Sequence, residues 1–276
     1  MEKPTNSQLQ LFDRPTAASV LESGDLSQYK VMIGLSGGIN SMAVLCELAQ
    51  WPKDKNPKEL HLFYAHFIEH SPDTFGFVAD GIRYARRHFE NVFVQVTKNS
   101  VLAYFEKQNM IPHPKRSPCT YWLKIWPMLQ YMIKNKVQID LVGYVREESK
   151  CYNTMIEKAP DTIFHKAFPI KDKPNEWCFE IVKKEIGWYP AIYDLTDEKG
   201  KRIFPHNNCL PCKNMQIKQI ENVQKYFPEY HEKGVATANN IKSYWGRNAD
   251  DWYTRFGRED YETDYEEQPC KVCAFD

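Results

Sequence analysis

The sequence predicts an α/β protein with a doubly wound, mostly parallel sheet. Short runs rich in Val, Ile, Leu, Phe and Tyr recur along the chain and have the length of buried parallel strands. Segments with apolar residues three and four positions apart alternate with these runs, as helices do in such folds. With 276 residues and 42% hydrophobic content, the chain can bury one large core and carry a smaller extension.

The elements follow one another as strand and helix pairs. The predicted strands cover residues 29–35, 60–68, 92–96 and 139–145, and the predicted helices cover residues 41–50, 75–89, 101–108 and 121–134. After residue 212 the pattern becomes helical, with helices expected over 216–226 and 238–244 and a break at 227–230. The expected domains are an N-terminal extension (1–28), the α/β domain (29–205) and a Cys-rich, mainly helical extension (206–276).

Charge and hydrophobicity bear on whether the chain is a nucleic-acid-binding protein or a membrane protein. Lys and Arg total 36, as do Asp and Glu, and this formal neutrality gives no support to nucleic-acid binding through the overall field. Residues 107–136 are locally basic and contain Trp122 and Trp126. This stretch is either a solvated helix face over core aromatics or a surface for a polyanion. No segment has the length of a membrane span, and the N-terminus has no signal-peptide layout, so we expect a cytoplasmic protein.

The loop after the first predicted strand carries the strongest functional signal. Ser36, Gly37, Gly38 and Ser41 stand between an apolar strand and a helix. Glycines adopt positive φ and have no Cβ, so the N–H groups of the loop can surround an anion, and the helix adds its positive dipole end. The sequence therefore predicts a phosphate site, and the absence of a Lys distinguishes it from the common P-loop. The plainer alternative is a turn whose glycines only relieve a steric problem.

Residues 36–41 resemble the Ser-Gly-Gly-x-Asp-Ser signature of the PP-loop ATP pyrophosphatases, with Asn40 where that family usually has Asp. Other segments are similar to the phosphoadenosine phosphosulfate (PAPS) reductase-like branch of the superfamily. They are residues 69–78, 116–127, 143–149 and 167–170, a helix with Trp177, and Tyr193. Several motifs in order are more specific than one. The family's Asp-Thr-Gly before residue 69 and the Glu-Cys-Gly-Leu-His tail of PAPS reductases are absent.

The resemblance implies an adenine nucleotide alpha hydrolase-like fold that uses ATP, or a related adenine nucleotide, with Mg²⁺. The implied reaction is attack of an acceptor on the α-phosphorus, which adenylates the acceptor and releases pyrophosphate. Sulfur transfer to a nucleic acid or small molecule could follow. The implied catalytic residues are Ser36, Ser41, Lys124 and Arg146, and the implied nucleotide-binding residues are Ser36, Gly37, Gly38, Asn40, Ser41, Glu69, Gly143, Glu148 and Ser149.

Two other functions are left open by the sequence. One is a sulfonucleotide reductase with an atypical cysteine arrangement, and the other is a non-catalytic nucleotide-binding subunit, which the uncharged Asn40 favours. The plainer interpretation of Lys124 and Arg146 is that they are solvated surface cations. The plainer interpretation of Glu148 and Ser149 is that they cap a helix. The sequence does not identify the acceptor, and a homo-oligomer and a partner subunit are both compatible with it.

Two C-x-x-C pairs predict a second site. They are Cys209 with Cys212 and Cys270 with Cys273. Two residues between thiolates let one turn present both sulfurs to one ion, and two such pairs complete a tetrahedral Cys₄ centre. Zn²⁺ is the favoured occupant and a [4Fe–4S] cluster is the alternative. Cys119, in contrast, is expected to be a small buried residue.

Overall fold

Five parallel strands form one sheet in the computed structural model, which describes residues 24–111, 117–158, 164–215 and 217–241. The strands are β1 (Lys30–Leu35), β2 (Glu59–Phe67), β3 (Val92–Asn99), β4 (Ile139–Leu141) and β5 (His165–Ala167). Their order across the sheet is β3-β2-β1-β4-β5, and every neighbouring pair is parallel. The predicted doubly wound sheet is confirmed.

Helices follow the strands, and every described helix except the one over Ser149–Lys158 overlaps a predicted helix. They are α1 (Ile39–Ala49), α2 (Thr74–His88), α3 (Val101–Gln108), α5 (Ser149–Lys158), α6 (Asn175–Glu185), α7 (Ile217–Tyr226) and α8 (Pro228–Asn240). Between α3 and α5, the helix α4 combines an α-helical turn (Pro118–Thr120), a π-helical segment (Tyr121–Ile125) and an α-helix (Trp126–Asn135). Short 3₁₀ turns cover Lys53–Lys55, Arg146–Glu148 and Ala191–Asp194.

Two strands end three or more residues away from the predicted position. β3 continues to Asn99 because its register with β2 persists to the pair Phe67 and Asn99. β4 ends at Leu141, four residues earlier than predicted, because the chain turns there towards the start of α1. Apolar character alone had extended the predicted strand to Val145, which is buried but outside the sheet.

The last helix begins earlier than predicted. Pro228 lies in the first turn of α8, where a missing N–H costs no hydrogen bond, so it starts a helix instead of a longer break. The predicted helix over 238–244 is therefore wrong in its start. Its last three residues lie outside the described part of the chain.

Alternating strand residues face two apolar layers. Val31, Ile33 and Leu35 pack with α1, α2 and α6 in the main core, while Met32 packs with Phe63 on the opposite face, against α4. A third cluster lies beside β2 and brings α3 together with α8. Helices thus cover both faces of the sheet, as a parallel sheet requires.

The segment after β5 and α6 returns to the sheet. Phe204, Leu210, Met215 and Val223 belong to the main core, and Cys209 is buried in the cluster beside β2. This packing carries the C-x-x-C pair at Cys209 to the carboxyl end of β2. Within the described ranges, no helix is both long and apolar enough to span a membrane.

Candidate functional site

The chain reverses its direction across the sheet at β1. From β1 it proceeds to β2 and β3 on one side and then crosses to β4 and β5 on the other. Doubly wound sheets bind ligands at such a switch point, beyond the carboxyl ends of the two flanking strands. The loop that follows β1 and the loop that follows β4 therefore flank the expected crevice.

The loop after β1 is held in one tight conformation. Gly37 has a φ of +79°, and a Cβ at this position would lie 2.3 Å from Thr74 Cγ2. The Gly38 N–H donates to Ser36 Oγ at 3.2 Å, and the Ser41 hydroxyl donates to the Gly38 carbonyl at 3.1 Å. The two serine hydroxyls are themselves 3.1 Å apart. The structure thus brings the predicted phosphate-binding side chains together, with Ser36 exposed and Ser41 buried.

Helix α1 begins directly behind this loop, and no acidic residue of its own first turn neutralises its positive end. Its N-cap residue, Gly38, has no side chain to accept a hydrogen bond, and the first turn contains no acidic residue. The first N–H groups of a helix carry a partial positive charge that an anion stabilises. A phosphate bound here would supply the negative charge that the sequence omits.

The loop after β4 closes onto the same helix start. A Cβ at Gly143 would lie 2.9 Å from the Asn40 carbonyl oxygen, so only glycine permits this approach. Asn40 Nδ2 donates to Glu148 Oε2 at 3.1 Å, and the Val145 N–H donates to the same oxygen at 3.3 Å. Burial raises the pKa of Glu148. The predicted site residues Asn40, Gly143 and Glu148 are therefore adjacent across the switch point.

Two predicted residues of this second loop are exposed. The Arg146 guanidinium donates to the Asp172 carbonyl through Nε at 3.3 Å and Nη2 at 2.8 Å. Ser149 lies at the start of α5 and is exposed. The Arg146 side chain thus ties the β4 loop to the segment before α6.

Glu69, another predicted nucleotide ligand, is hydrogen-bonded to the first residues of α3. Its buried carboxylate accepts hydrogen bonds from the Ser100 hydroxyl, the Val101 N–H at 3.1 Å and the Leu102 N–H at 3.3 Å. These donors form the N-terminus of α3. The structure therefore gives Glu69 the role of a helix cap, with its negative charge at the positive end of the helix.

Lys124, a predicted catalytic residue, lies beside the carboxyl end of β2. Its ammonium group is 5.0 Å from the centre of the Phe67 ring. Burial lowers the pKa of His70 to about 3, and the nearby positive charges of Lys124 and His66 act in the same direction. Within the described residues, His70 Nε2 is buried without a hydrogen-bond partner. His70 is consequently neutral at physiological pH.

Three cysteines lie in the same region, beside the carboxyl end of β2. Cys209 is buried, Cys212 is half-buried, and Cys119 packs against the apolar cluster that contains Cys209. Burial raises the pKa of both Cys119 and Cys209, and the neighbouring thiols act in the same direction. Cys270 and Cys273 lie outside the described residues. In the part of the chain that is described, no three His, Cys, Asp or Glu side chains form a group that could hold a metal ion.

Solved structures are similar to this chain, whereas no protein-family model and no curated protein matches it. One is a PAPS reductase from Candida auris in a phosphate complex, with 11% identity, a TM-score of 0.43, and coverage of 70% of this chain and 93% of that chain. A second is a U34-tRNA thiolase from Methanococcus maripaludis with its [4Fe–4S] cluster, at 11% identity, a TM-score of 0.43 and 88% coverage of both chains. A third is an NMN synthetase from Francisella tularensis, at 12% identity, a TM-score of 0.43, and coverage of 84% and 97%.

Two residues absent from the predicted ligand set lie against the loop. Asn207 donates from Nδ2 to the Gly37 carbonyl at 2.9 Å and to Thr74 Oγ1 at 2.8 Å. The Tyr193 hydroxyl accepts from the Ile39 N–H at 3.2 Å. Tyr193 carried a signal in the family-like pattern, but nothing near Asn207 in sequence marked it, because its partners are far away along the chain.

Proposed function

We propose that this protein binds ATP or a related adenine nucleotide with its phosphates at residues 36–41 and cleaves the bond between the α and β phosphates. The observation that carries the proposal is the serine and glycine loop at the switch point, followed by a helix whose first turn contains no acidic residue. The PP-loop signature resembled by the sequence supplies the choice of nucleotide.

In the proposed reaction an acceptor oxygen forms a bond to the α-phosphorus. The bond from that phosphorus to the bridging oxygen breaks, and pyrophosphate leaves with the electron pair. The Ser36 and Ser41 hydroxyls and the first N–H groups of α1 would stabilise the developing negative charge of the leaving group. Mg²⁺, when bound, would offset phosphate charge, and Glu148 is the carboxylate beside Asn40 that fits this role.

Pyrophosphate release from ATP tests this proposal. Binding should be measured by calorimetry, and release should be measured with candidate acceptors, for Ser36→Ala and Ser41→Ala. Each variant should lose at least about tenfold in affinity or rate, because it removes a donor from the phosphate site. Ser27→Ala is the matched control, since Ser27 precedes the opposite end of β1. Equal behaviour of all three variants would reject the site.

A second candidate is a nucleotide-binding protein without turnover. Asn40 favours it, because this side chain is neutral and its amide is already bonded to Glu148. A loop without a carboxylate at this position provides less negative charge for a divalent cation. ATP binding that persists in the absence of α–β cleavage with every acceptor tested would favour this candidate over the enzyme.

We also propose a metal centre at the C-x-x-C pairs. Cys209 and Cys212 supply two thiols of suitable spacing, and the other pair is Cys270 and Cys273. Metal analysis and an absorption spectrum of the anaerobically purified protein test the centre. Zinc near one equivalent without visible absorption would identify Zn²⁺, and iron with a brown chromophore would identify a cluster. Cys209→Ser should lose the metal, whereas Cys178→Ala, in the α6 core, should retain it.

A further inference from the structure

Asn207 connects the segment that contains Cys209 and Cys212 to the proposed phosphate loop, residues 36–41, through a buried network of hydrogen bonds. Its side chain is 7% exposed, and its amide makes three hydrogen bonds. Two are the donations to the Gly37 carbonyl and to Thr74 Oγ1, and the third is accepted from the Ser71 hydroxyl at 3.2 Å. Ser71 and Thr74 are also buried. The amide is therefore held on both its donor and its acceptor side.

The bond to Gly37 fixes the direction of a different group. The carbonyl of Gly37 and the N–H of Gly38 belong to one planar trans peptide, so they point in opposite directions. With the carbonyl held by Asn207, the Gly38 N–H points into the loop, where it donates to Ser36 Oγ. Because both neighbours are glycines, this peptide has little intrinsic resistance to rotation. The orientation depends on an external hydrogen bond.

Tyr193 fixes the next peptide by the same means. Its hydroxyl oxygen accepts from the Ile39 N–H and from the Asn207 backbone N–H, each at 3.2 Å. The Gly38 carbonyl, on the other side of the Gly38–Ile39 peptide, accepts from Ser41. Burial raises the pKa of Tyr193 to about 12, so the phenol stays neutral at physiological pH.

We propose that Asn207 is a positioning residue for phosphate binding, which holds the Gly37–Gly38 peptide so that the Gly38 N–H faces the anion. The inference rests on the proposed nucleotide site and assigns a role to a residue outside the family-like motifs. Asn207 acts through the peptide and does not itself contact the ligand.

Asn207→Asp provides a sharp test, because it preserves shape while removing both N–H donations, to the Gly37 carbonyl and to Thr74 Oγ1. The Thr74 hydroxyl can donate in return, whereas the Gly37 carbonyl cannot. At pH 7.5 the carboxylate would face the Gly37 carbonyl with an acceptor instead of a donor, and affinity for ATP and for pyrophosphate should fall at least about tenfold. At pH 5 a protonated carboxyl can donate again, and part of the loss should be recovered relative to wild type at the same pH. Asn208→Asp is the matched control, since it adds the same charge one residue away.

A second variant covers the case in which Asn207→Asp does not fold, as judged by circular dichroism at the assay temperature. Tyr193→Phe retains the ring and removes the hydroxyl that accepts from the Ile39 N–H and the Asn207 backbone N–H, so affinity should fall several-fold. If the wild type binds the nucleotide and a folded Asn207→Asp has an affinity within twofold of it, the positioning role alone is overturned. If Asn207→Asp is unfolded, an affinity of Tyr193→Phe within twofold of wild type overturns that role alone. Absence of nucleotide and pyrophosphate binding by the wild type would overturn the proposed function as well.

Discussion

At the scale of single residues, Gly37 is required by both backbone and packing. Its positive φ is unfavourable for residues with a Cβ, and the space where a Cβ would lie is filled by the Thr74 methyl group. The sequence predicted the conformational requirement from the loop pattern. The steric requirement comes from α2, which packs on the loop from the next strand–helix unit.

Replacing Gly37 with Ala separates these two requirements. Gly37→Ala should lower the free energy of unfolding by about 2–4 kcal/mol, because strain in φ and a clash with Thr74 add. Gly200→Ala is the control: Gly200 has a φ of +75° but no heavy atom within 4 Å of its added Cβ, so about 1 kcal/mol is expected. Urea unfolding measures both. Equal losses for the two variants would mean that Thr74 moves aside.

At the scale of elements, the start of α3 depends on a residue from another loop. Glu69, after β2, accepts from three donors at the first turn of α3, while Ser100 accepts from the Ala103 N–H as the local N-cap. The Leu210 N–H also donates to the Glu69 carbonyl at 2.7 Å. A family-like motif led to the prediction that Glu69 is a nucleotide ligand. Its observed hydrogen bonds join α3, the end of β2 and the segment that contains Leu210.

Glu69→Gln tests the capping role. The amide has the same size but places an N–H₂ group near donors and removes the charge, so the free energy of unfolding should fall by about 1–2 kcal/mol. ATP affinity should stay within twofold of wild type. Glu221→Gln, on the exposed surface of α7, should change stability by less than about 0.5 kcal/mol. Loss of nucleotide binding without loss of stability would instead support the prediction that Glu69 is a nucleotide ligand.

At the scale of the whole molecule, the burial of histidines makes the stability of the fold depend on pH. Among the described residues, burial is the largest cause of a lowered pKa at five histidines, His61, His66, His70, His206 and His231. In the unfolded chain these imidazoles titrate near their ordinary pKa of 6.5. At these groups the unfolded chain therefore binds more protons below that pH, and their contribution to stability decreases as the pH falls.

His70 should account for the largest single share of this acid sensitivity. Its folded pKa of about 3 places the loss of stability between pH 6.5 and pH 3, and the loss should be about 1–2 kcal/mol from pH 7 to pH 5. His70→Gln removes the titrating group, so its stability should vary less with pH over that interval. Urea titrations at pH 7, 6 and 5 measure the slopes. Parallel lines for wild type and variant would contradict the role of His70.

Much of the architecture follows from local sequence. Buried parallel strands are continuous apolar runs, and helices have their own period, so alternation of the two predicted the doubly wound sheet before any contact was known. The glycine loop was identified for the same reason, because strand, glycines and helix are neighbours in sequence. Strand length was less accurate: the end of β4 depends on the approach of Gly143 to α1, which hydrophobicity does not encode.

The sequence by itself determined that a loop of serines and glycines stands between the first strand and the first helix, and it predicted phosphate binding there. Tertiary structure alone decided how that segment is held. Asn207 is 170 residues from Gly37, and Glu148 is 108 residues from Asn40, so no local pattern connects either pair. Hydrogen bonds between such distant groups require the folded chain to bring the groups together, and burial strengthens them because water competes less. The folded core therefore determines the direction of each N–H in the loop.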